Sequence, residues 1–160
     1  MAEGSKNGRD DAEASRFVER FALTMVEAGM PRMPARAFAA LLASPEGKLT
    51  ASELASALHV SPAAVSGAVR YLTQVHMIAR EREPGERRDH YRIHENQWYE
   101  ITTQRDEMLS RWSKDLESGI EAVGRRTAAG RRLDETRRFF EFLRDEMPQL
   151  MEKWRAQRSG

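Results

Sequence analysis

Arg87 and Arg88 stand side by side in the stretch Pro84-Gly85-Glu86-Arg87-Arg88-Asp89, whose proline and glycine mark a tight turn. Two guanidiniums on a short turn suit a narrow A·T-rich minor groove, where negative potential is concentrated. Asp89 would repel phosphate if free, so it is expected to hold one of these arginines in a bidentate pair. Upstream, the run from Ser61 to Tyr71 carries a different chemistry. As a helix it exposes Ser61, Ala63, Ala64, Ser66, Gly67, Arg70 and Tyr71. Small residues at 63, 64 and 67 allow the backbone close to the floor of a major groove. Ser61 and Ser66 can bond phosphates or bases, while Arg70 and Tyr71, a turn further on, suit phosphate. Only Arg70 is a strong bidentate base reader, so base readout is expected to be modest and shape readout important.

Other chemistries find little support. The chain has no cysteine, which excludes thiolate nucleophiles, disulfides and Cys-ligated zinc. Its histidines are His59, His76, His90 and His94. On a strand, His90 and His94 would stand about 13 Å apart at roughly 3.3 Å per residue, too far to share a metal. Neither a phosphate-binding Gly-Lys-Ser/Thr loop nor a Gly-x-Ser-x-Gly elbow is present. The carboxylate pairs Asp10-Asp11 and Asp145-Glu146 fall on solvated segments. No enzyme, metal or cofactor is expected.

The elements that position these side chains can be read in turn. Residues 1–11 are polar and are expected to form a disordered tail. Phe17, Val18, Phe21, Met25 and Val26 recur at helical spacing, and Gly29 and Pro31 end that helix. Pro34 can open a second helix carrying Phe38, Leu41 and Leu42. Thr50 and Glu53 have the spacing of a capping box for a short third helix with Leu54, Ala55 and Leu58 inward. His59-Val60 makes a turn. Ser61 then caps a further helix with Pro62 at its first position, running to about His76. Beyond Ile78 the period changes: 79–83 and 91–94 read as two short strands of a hairpin around the charged turn.

Two helices joined by a short turn and followed by a hairpin spell a winged helix-turn-helix. The first helix braces the second, which presents its N-terminal turns to base edges. Two long helices complete the chain, from about Asn96 to Thr127 and from about Arg131. Pro148 is expected to kink the last one or break it in two. The fold class is therefore mainly α with a small β-wing: a winged helix-turn-helix plus long N- and C-terminal dimerisation helices. Residues 12–160 are expected to form a single domain, with the winged helix at 34–94 and dimerisation helices at 12–30 and 95–158. The apolar stripes of the long helices exceed what a small reading head can cover, so a second copy is expected to cover the rest about a two-fold axis. Phe17, Phe21, Phe139, Phe140, Leu143 and Trp154 are the candidates there or in the adjoining core. Trp98, Tyr99 and Trp112 are more simply core, with a small-ligand pocket as the minority reading. The pairs Arg125-Arg126, Arg131-Arg132 and Arg137-Arg138 read as a solvated corner; a second anion contact is the alternative.

Two segments carry a family resemblance: Leu49–Ile78 (LTASELASALHVSPAAVSGAVRYLTQVHMI) and Arg80–Ile93 (REREPGERRDHYRI). They resemble the core of MarR-type regulators, and the whole chain looks like the GbsR-like branch of that group. The wing departs from the usual Asp-x-Arg pattern, since Glu86 precedes the arginines and Asp89 follows them. Which arginine enters the groove is thereby left open. The resemblance implies a homodimer on double-stranded DNA at a pseudo-palindromic operator, usually repression, and often release by a small-molecule effector. Two other functions stay in view: a winged helix used as a protein-interaction module, and a sequence-tolerant nucleoid-type DNA binder.

The bulk numbers agree with this. The 160 residues are 32% charged and 40% apolar, an ordinary globular balance. The net charge of +1 conceals basic clusters at Arg80–Arg92 and Arg125–Arg138, and nucleic-acid binding depends on such local footprints. With no apolar run of membrane length and no secretory leader in view, a cytoplasmic protein with no membrane partner is expected.

Overall fold

The structure, a computed structural model, describes residues 3–94 and 97–158, with side chains over 11–94 and 105–158. The chain divides into two compact units, residues 1–97 and 98–160.

The first unit holds α1 (Glu3–Glu27), α2 (Arg32–Ala43), β1 (Lys48–Thr50), α3 (Ala51–Leu58), α4 (Pro62–Gln74), β2 (Ile78–Glu81) and β3 (His90–Ile93). Helical backbone begins at Glu3, so it takes in most of the stretch assigned to a tail. Helix α2 lies at the centre, with Ala35, Ala37, Phe38, Ala39 and Leu41 fully buried. Its small residues let α1 and α4 approach closely, and Phe38 fills the space between. Helix α2 starts at Arg32 rather than Pro34, which falls inside its first turn. Leu54 and Leu58 of α3 and Val65, Val69 and Leu72 of α4 complete the core with Ile78. Both amphipathic stripes therefore face α2, which fixes the outward faces as well.

The helix-turn-helix is set by local chemistry. The Thr50 Oγ1 accepts from the Glu53 amide (3.2 Å), and the Glu53 carboxylate takes the Thr50 amide (2.7 Å) and hydroxyl (2.9 Å). The Thr50 amide, then its hydroxyl, hold the Glu53 carboxyl below the usual carboxylate range. His59 closes α3 in the left-handed region at φ 52°, and the Val60 amide returns to the Ala55 carbonyl (3.0 Å). Ser61 then caps α4 by accepting from the Ala64 amide (3.3 Å), with Pro62 next in line.

The sheet has three antiparallel strands in the order β1-β3-β2. Sequence reading finds only the hairpin, for β1 is too short to show alternation. It is held by register with β3, where Leu49 faces Tyr91 and Thr50 faces His90. Within the hairpin, Ala79 faces Arg92 and Glu81 faces His90.

The second unit holds α5 (Gln97–Val123) and α6 (Ala128–Arg158). They run antiparallel: Asp106 of α5 takes Arg144 of α6 (3.0 Å), Trp112 meets Phe140 (ring centroids 5.6 Å), and Glu117 takes Arg137 (3.1 Å). The corner is made by Gly124 at φ 85° and by Thr127, whose hydroxyl caps α6 through the Gly130 amide (2.9 Å). A Cβ at Gly130 would lie 2.2 Å from the Gly124 carbonyl oxygen, so only glycine fits there. Pro148 does not break the last helix: α6 is continuous across it. The proline ring sits on an exposed face and removes a single backbone donor, and the turns on either side continue the helix.

Candidate nucleic-acid interface

Ser61, Ala63, Ser66, Gly67 and Arg70 all lie exposed on α4, on the face opposite Val65, Val69 and Leu72. Ala64 is half-buried. Tyr71 is half-buried too and packs against the core, so less of it is available to a partner than its helical position suggests. Gly67 is informative. A Cβ at this position would meet nothing within 4 Å, and the backbone there is ordinary helix. Glycine in a helix interior costs roughly 1 kcal/mol relative to alanine. Nothing among the described residues requires that cost.

The hairpin tip is a type II turn. The Glu86 amide bonds the Glu83 carbonyl (3.0 Å), Pro84 supplies the first corner, and Gly85 at φ 88° supplies the second. Arg87 and Arg88 follow it, both exposed and neither in an ion pair among the described residues. Asp89 does not hold either of them. It accepts from Arg82 Nε (2.8 Å) and Arg80 Nε (2.9 Å). Pairing geometry explains the difference. Extending the β2–β3 register puts Asp89 opposite Arg82 and diagonal to Arg80 on one face, while Arg87 and Arg88 lie beyond the last strand pair. Arg82 first, then Arg80, hold the Asp89 carboxyl below the ordinary carboxylate range.

Further pairs brace the wing. Lys48 of β1 holds Glu83, and Glu81 takes Arg92 (2.9 Å) across the strands. The Glu83 carboxyl is lowered mainly by its hydrogen bond from Lys48. His90 Nδ1, on a half-buried ring, lies 3.4 Å from a Glu86 carboxylate oxygen, in ion-pairing range but out of line for a hydrogen bond.

Sequence reasoning missed Arg80 as a site residue. It lines one cleft of about 430 Å³ together with Ser66, Arg70, Thr73 and Gln74 of α4 and Tyr91 of β3. Thus Arg70 and Arg80 line the same hollow between helix and wing. The available signal was the alternation of Arg80 and Arg82, which places both on one face of a strand.

In the second unit, Phe139, Phe142, Leu150 and Trp154 are about half exposed. At 100° per residue they fall on one side of α6. Phe140 and Leu143 are half-buried, and Trp112, 47% exposed, rests on Phe140. Phe17 of α1 is exposed and stacks on Phe21 (5.6 Å). The side chains of Trp98 and Tyr99 lie outside the described residues. The arginine corner splits into two groups. Arg125 pairs with Glu117 (2.6 Å) and Asp134 (3.3 Å), and Arg137 with Asp134 (2.8 Å) and Glu141 (2.6 Å). Arg131 donates to the Arg126 carbonyl (2.6 Å). The side chains of Arg126, Arg132 and Arg138 are exposed and make no ion pair among the described residues.

Two family models match separate stretches. One, described as MarR family, matches residues 28–89; the other, described as MmpR5-like MarR family transcriptional regulator, matches residues 96–157. No curated protein gives a match. Among solved structures, a transcriptional regulator overlays with a TM-score of 0.79 at 23% identity, covering 90% of this chain and 99% of its own. That overlay establishes a shared fold along nearly the whole length. Sco3205 of Streptomyces coelicolor, a MarR family transcriptional regulator in complex with DNA, aligns at 23% identity over 100% of this chain and 89% of its own (TM-score 0.43). The adhesin competence repressor AdcR of Streptococcus pyogenes aligns at 24% identity over 60% and 72% (TM-score 0.39). Among the described residues, no helix is long and apolar enough to cross a membrane.

Proposed function

We propose, from the premise that this chain belongs to the MarR family of winged-helix transcriptional regulators, that it binds a pseudo-palindromic DNA operator as a homodimer, represses transcription in the cytoplasm, and is released by a small-molecule effector. Within the family we assign the GbsR-like branch on the resemblance of Leu49–Ile78 and Arg80–Ile93.

The observation that carries DNA binding is the bare surface of α4. Ala63 and Gly67 leave the helix backbone uncovered, and the fold itself gains nothing from the glycine. A partner that must come close to that backbone accounts for it, and the floor of a major groove is such a partner. Ser61, Ser66 and Arg70 flank the bare surface with groups that bond phosphates or base edges. Arg87 and Arg88 stand uncommitted at the wing tip, ready for the neighbouring minor groove. Arg80 and Arg82 add positive charge along the wing, held in place by Asp89.

Dimerisation is supported by the uncovered apolar side chains of α6, from Phe139 to Trp154. A second copy covers them by presenting the same surface about a two-fold axis, a symmetry that a pseudo-palindromic operator shares. The effector rests on the family alone.

The test is a fluorescence-anisotropy titration against DNA from upstream of the protein's own gene, with scrambled competitor, at two salt concentrations. Tight binding that resists competitor and weakens with salt supports the reading. Binding erased by competitor indicates a sequence-tolerant binder. No binding at either salt, with or without extracts supplying effectors, turns the winged helix into a protein-interaction module.

A further inference from the structure

Arg36 lies on α2, within the buried centre of the first unit, with its side chain only 16% exposed. Its guanidinium is shared between two helices. Toward α1 it donates from Nε to Glu19 Oε1 (2.8 Å) and Oε2 (3.1 Å), and from Nη2 to Glu19 Oε1 (2.6 Å). Toward α3, Nη2 also donates to the main-chain carbonyl of Leu58 (3.0 Å). Nη1 points to the Met33 sulfur (3.7 Å). The planar fork makes this sharing specific, because a lysine ammonium cannot reproduce both directions at once.

Leu58 is the last residue of α3, and its carbonyl is one that helix geometry leaves without an internal partner. The next residue, His59, turns the chain in the left-handed region, and Ser61 begins the recognition helix. Positive charge at this helix end is also favoured by the helix dipole. Arg36 therefore anchors the last fixed point before α4 starts, and Glu19 anchors Arg36 from α1. The segment between, residues 59–61, is too short to absorb a displacement.

We infer that Arg36 is a positioning residue for DNA reading: it fixes the start of α4 relative to α1 by bridging Glu19 to the Leu58 carbonyl. A change in α1 that pulls Glu19 away removes the second anchor of the guanidinium and loosens the α3–α4 turn. This rests on the DNA-binding reading above and adds a route by which α1 governs it.

The test compares Arg36→Gln, Arg36→Lys, Glu19→Gln and the Arg36→Gln/Glu19→Gln pair in the full chain. Specific and scrambled DNA are titrated by anisotropy at a temperature well below each variant's melting point. Amide hydrogen exchange at His59, Val60 and Ala64 is followed without DNA. Arg36→Gln is expected to lower specific affinity about tenfold, with little change on scrambled DNA, a size typical of energetic coupling between linked sites. Exchange at His59 and Val60 should accelerate. The double variant should be no worse than Arg36→Gln alone, and Arg36→Lys should recover only part of the loss. Equal losses on both DNAs, or additive losses in the double variant, would overturn the inference. Should the unaltered protein bind no DNA, the functional reading fails by itself. Exchange then decides the anchor: unchanged protection at His59 and Val60 in Arg36→Gln removes it.

Discussion

Gly67→Ala separates the demands of folding from those of binding. The added Cβ meets no atom of the protein within 4 Å, and the residue lies in the middle of a 13-residue helix. Alanine should then stabilise the chain by about 1 kcal/mol, through helix propensity and a less flexible unfolded state. For a chain of this size that raises the melting temperature by roughly 2–4 °C. The same methyl projects from the surface assigned to the groove. Forcing a methyl into a close-packed interface costs about 1–3 kcal/mol. Since about 1.4 kcal/mol is tenfold in affinity, the loss should lie between about fivefold and a hundredfold. Thermal unfolding by circular dichroism gives the first quantity, and anisotropy titration at fixed salt gives the second. A rise in melting temperature with unchanged affinity would mean that α4 does not approach DNA at Gly67. A fall in melting temperature would mean that the glycine serves packing instead.

Other perturbations reach the remaining parts. Arg87→Ala with Arg88→Ala should weaken DNA binding and flatten its dependence on salt, by roughly 0.9 in log–log slope for each phosphate no longer neutralised; an unchanged slope would remove the wing tip from the interface. Asp89 and Glu83 have folded-state pKa values below their ordinary ones, because of Arg82 and Arg80 in one case and Lys48 in the other. Their contribution is therefore present above the ordinary carboxylate range and is lost as pH falls through the folded-state values. Melting temperature should drop in acid, and Asp89→Asn should drop less steeply; equal slopes would show the wing pairs to be irrelevant to stability. Gly130→Ala drives a Cβ into the Gly124 carbonyl, so it should cost about 1–3 kcal/mol in denaturant titration; a neutral result would mean the α5–α6 corner relaxes freely. Phe139→Glu with Phe142→Glu should give monomers in sedimentation, and a persisting dimer would place the interface elsewhere.

The helix-turn-helix was legible because its signals are local. A hydroxyl at an N-cap, a glutamate three residues on and a proline at the first helical position act within one turn, and Thr50, Glu53, Ser61 and Pro62 all do what their spacing implies. The turn at Pro84-Gly85 is of the same kind. Apolar periodicity likewise assigns Val65, Val69 and Leu72 to the core, and thereby assigns Ser66, Gly67 and Arg70 to the surface. What the sequence could not decide depends on partners distant along the chain. Strand β1 exists only by pairing with β3, some forty residues away in register (Leu49 with Tyr91). Asp89 selects Arg82 and Arg80 rather than its neighbours Arg87 and Arg88, because antiparallel register sets which side chains share a face. Arg36 reads from sequence as one more polar residue on an amphipathic helix. Only the packing of α1 and α3 against α2 brings Glu19 and the Leu58 carbonyl to the two sides of its guanidinium. Local propensity determined where helices begin and end; the directional, long-range pairing of charges and carbonyls was decided by tertiary structure.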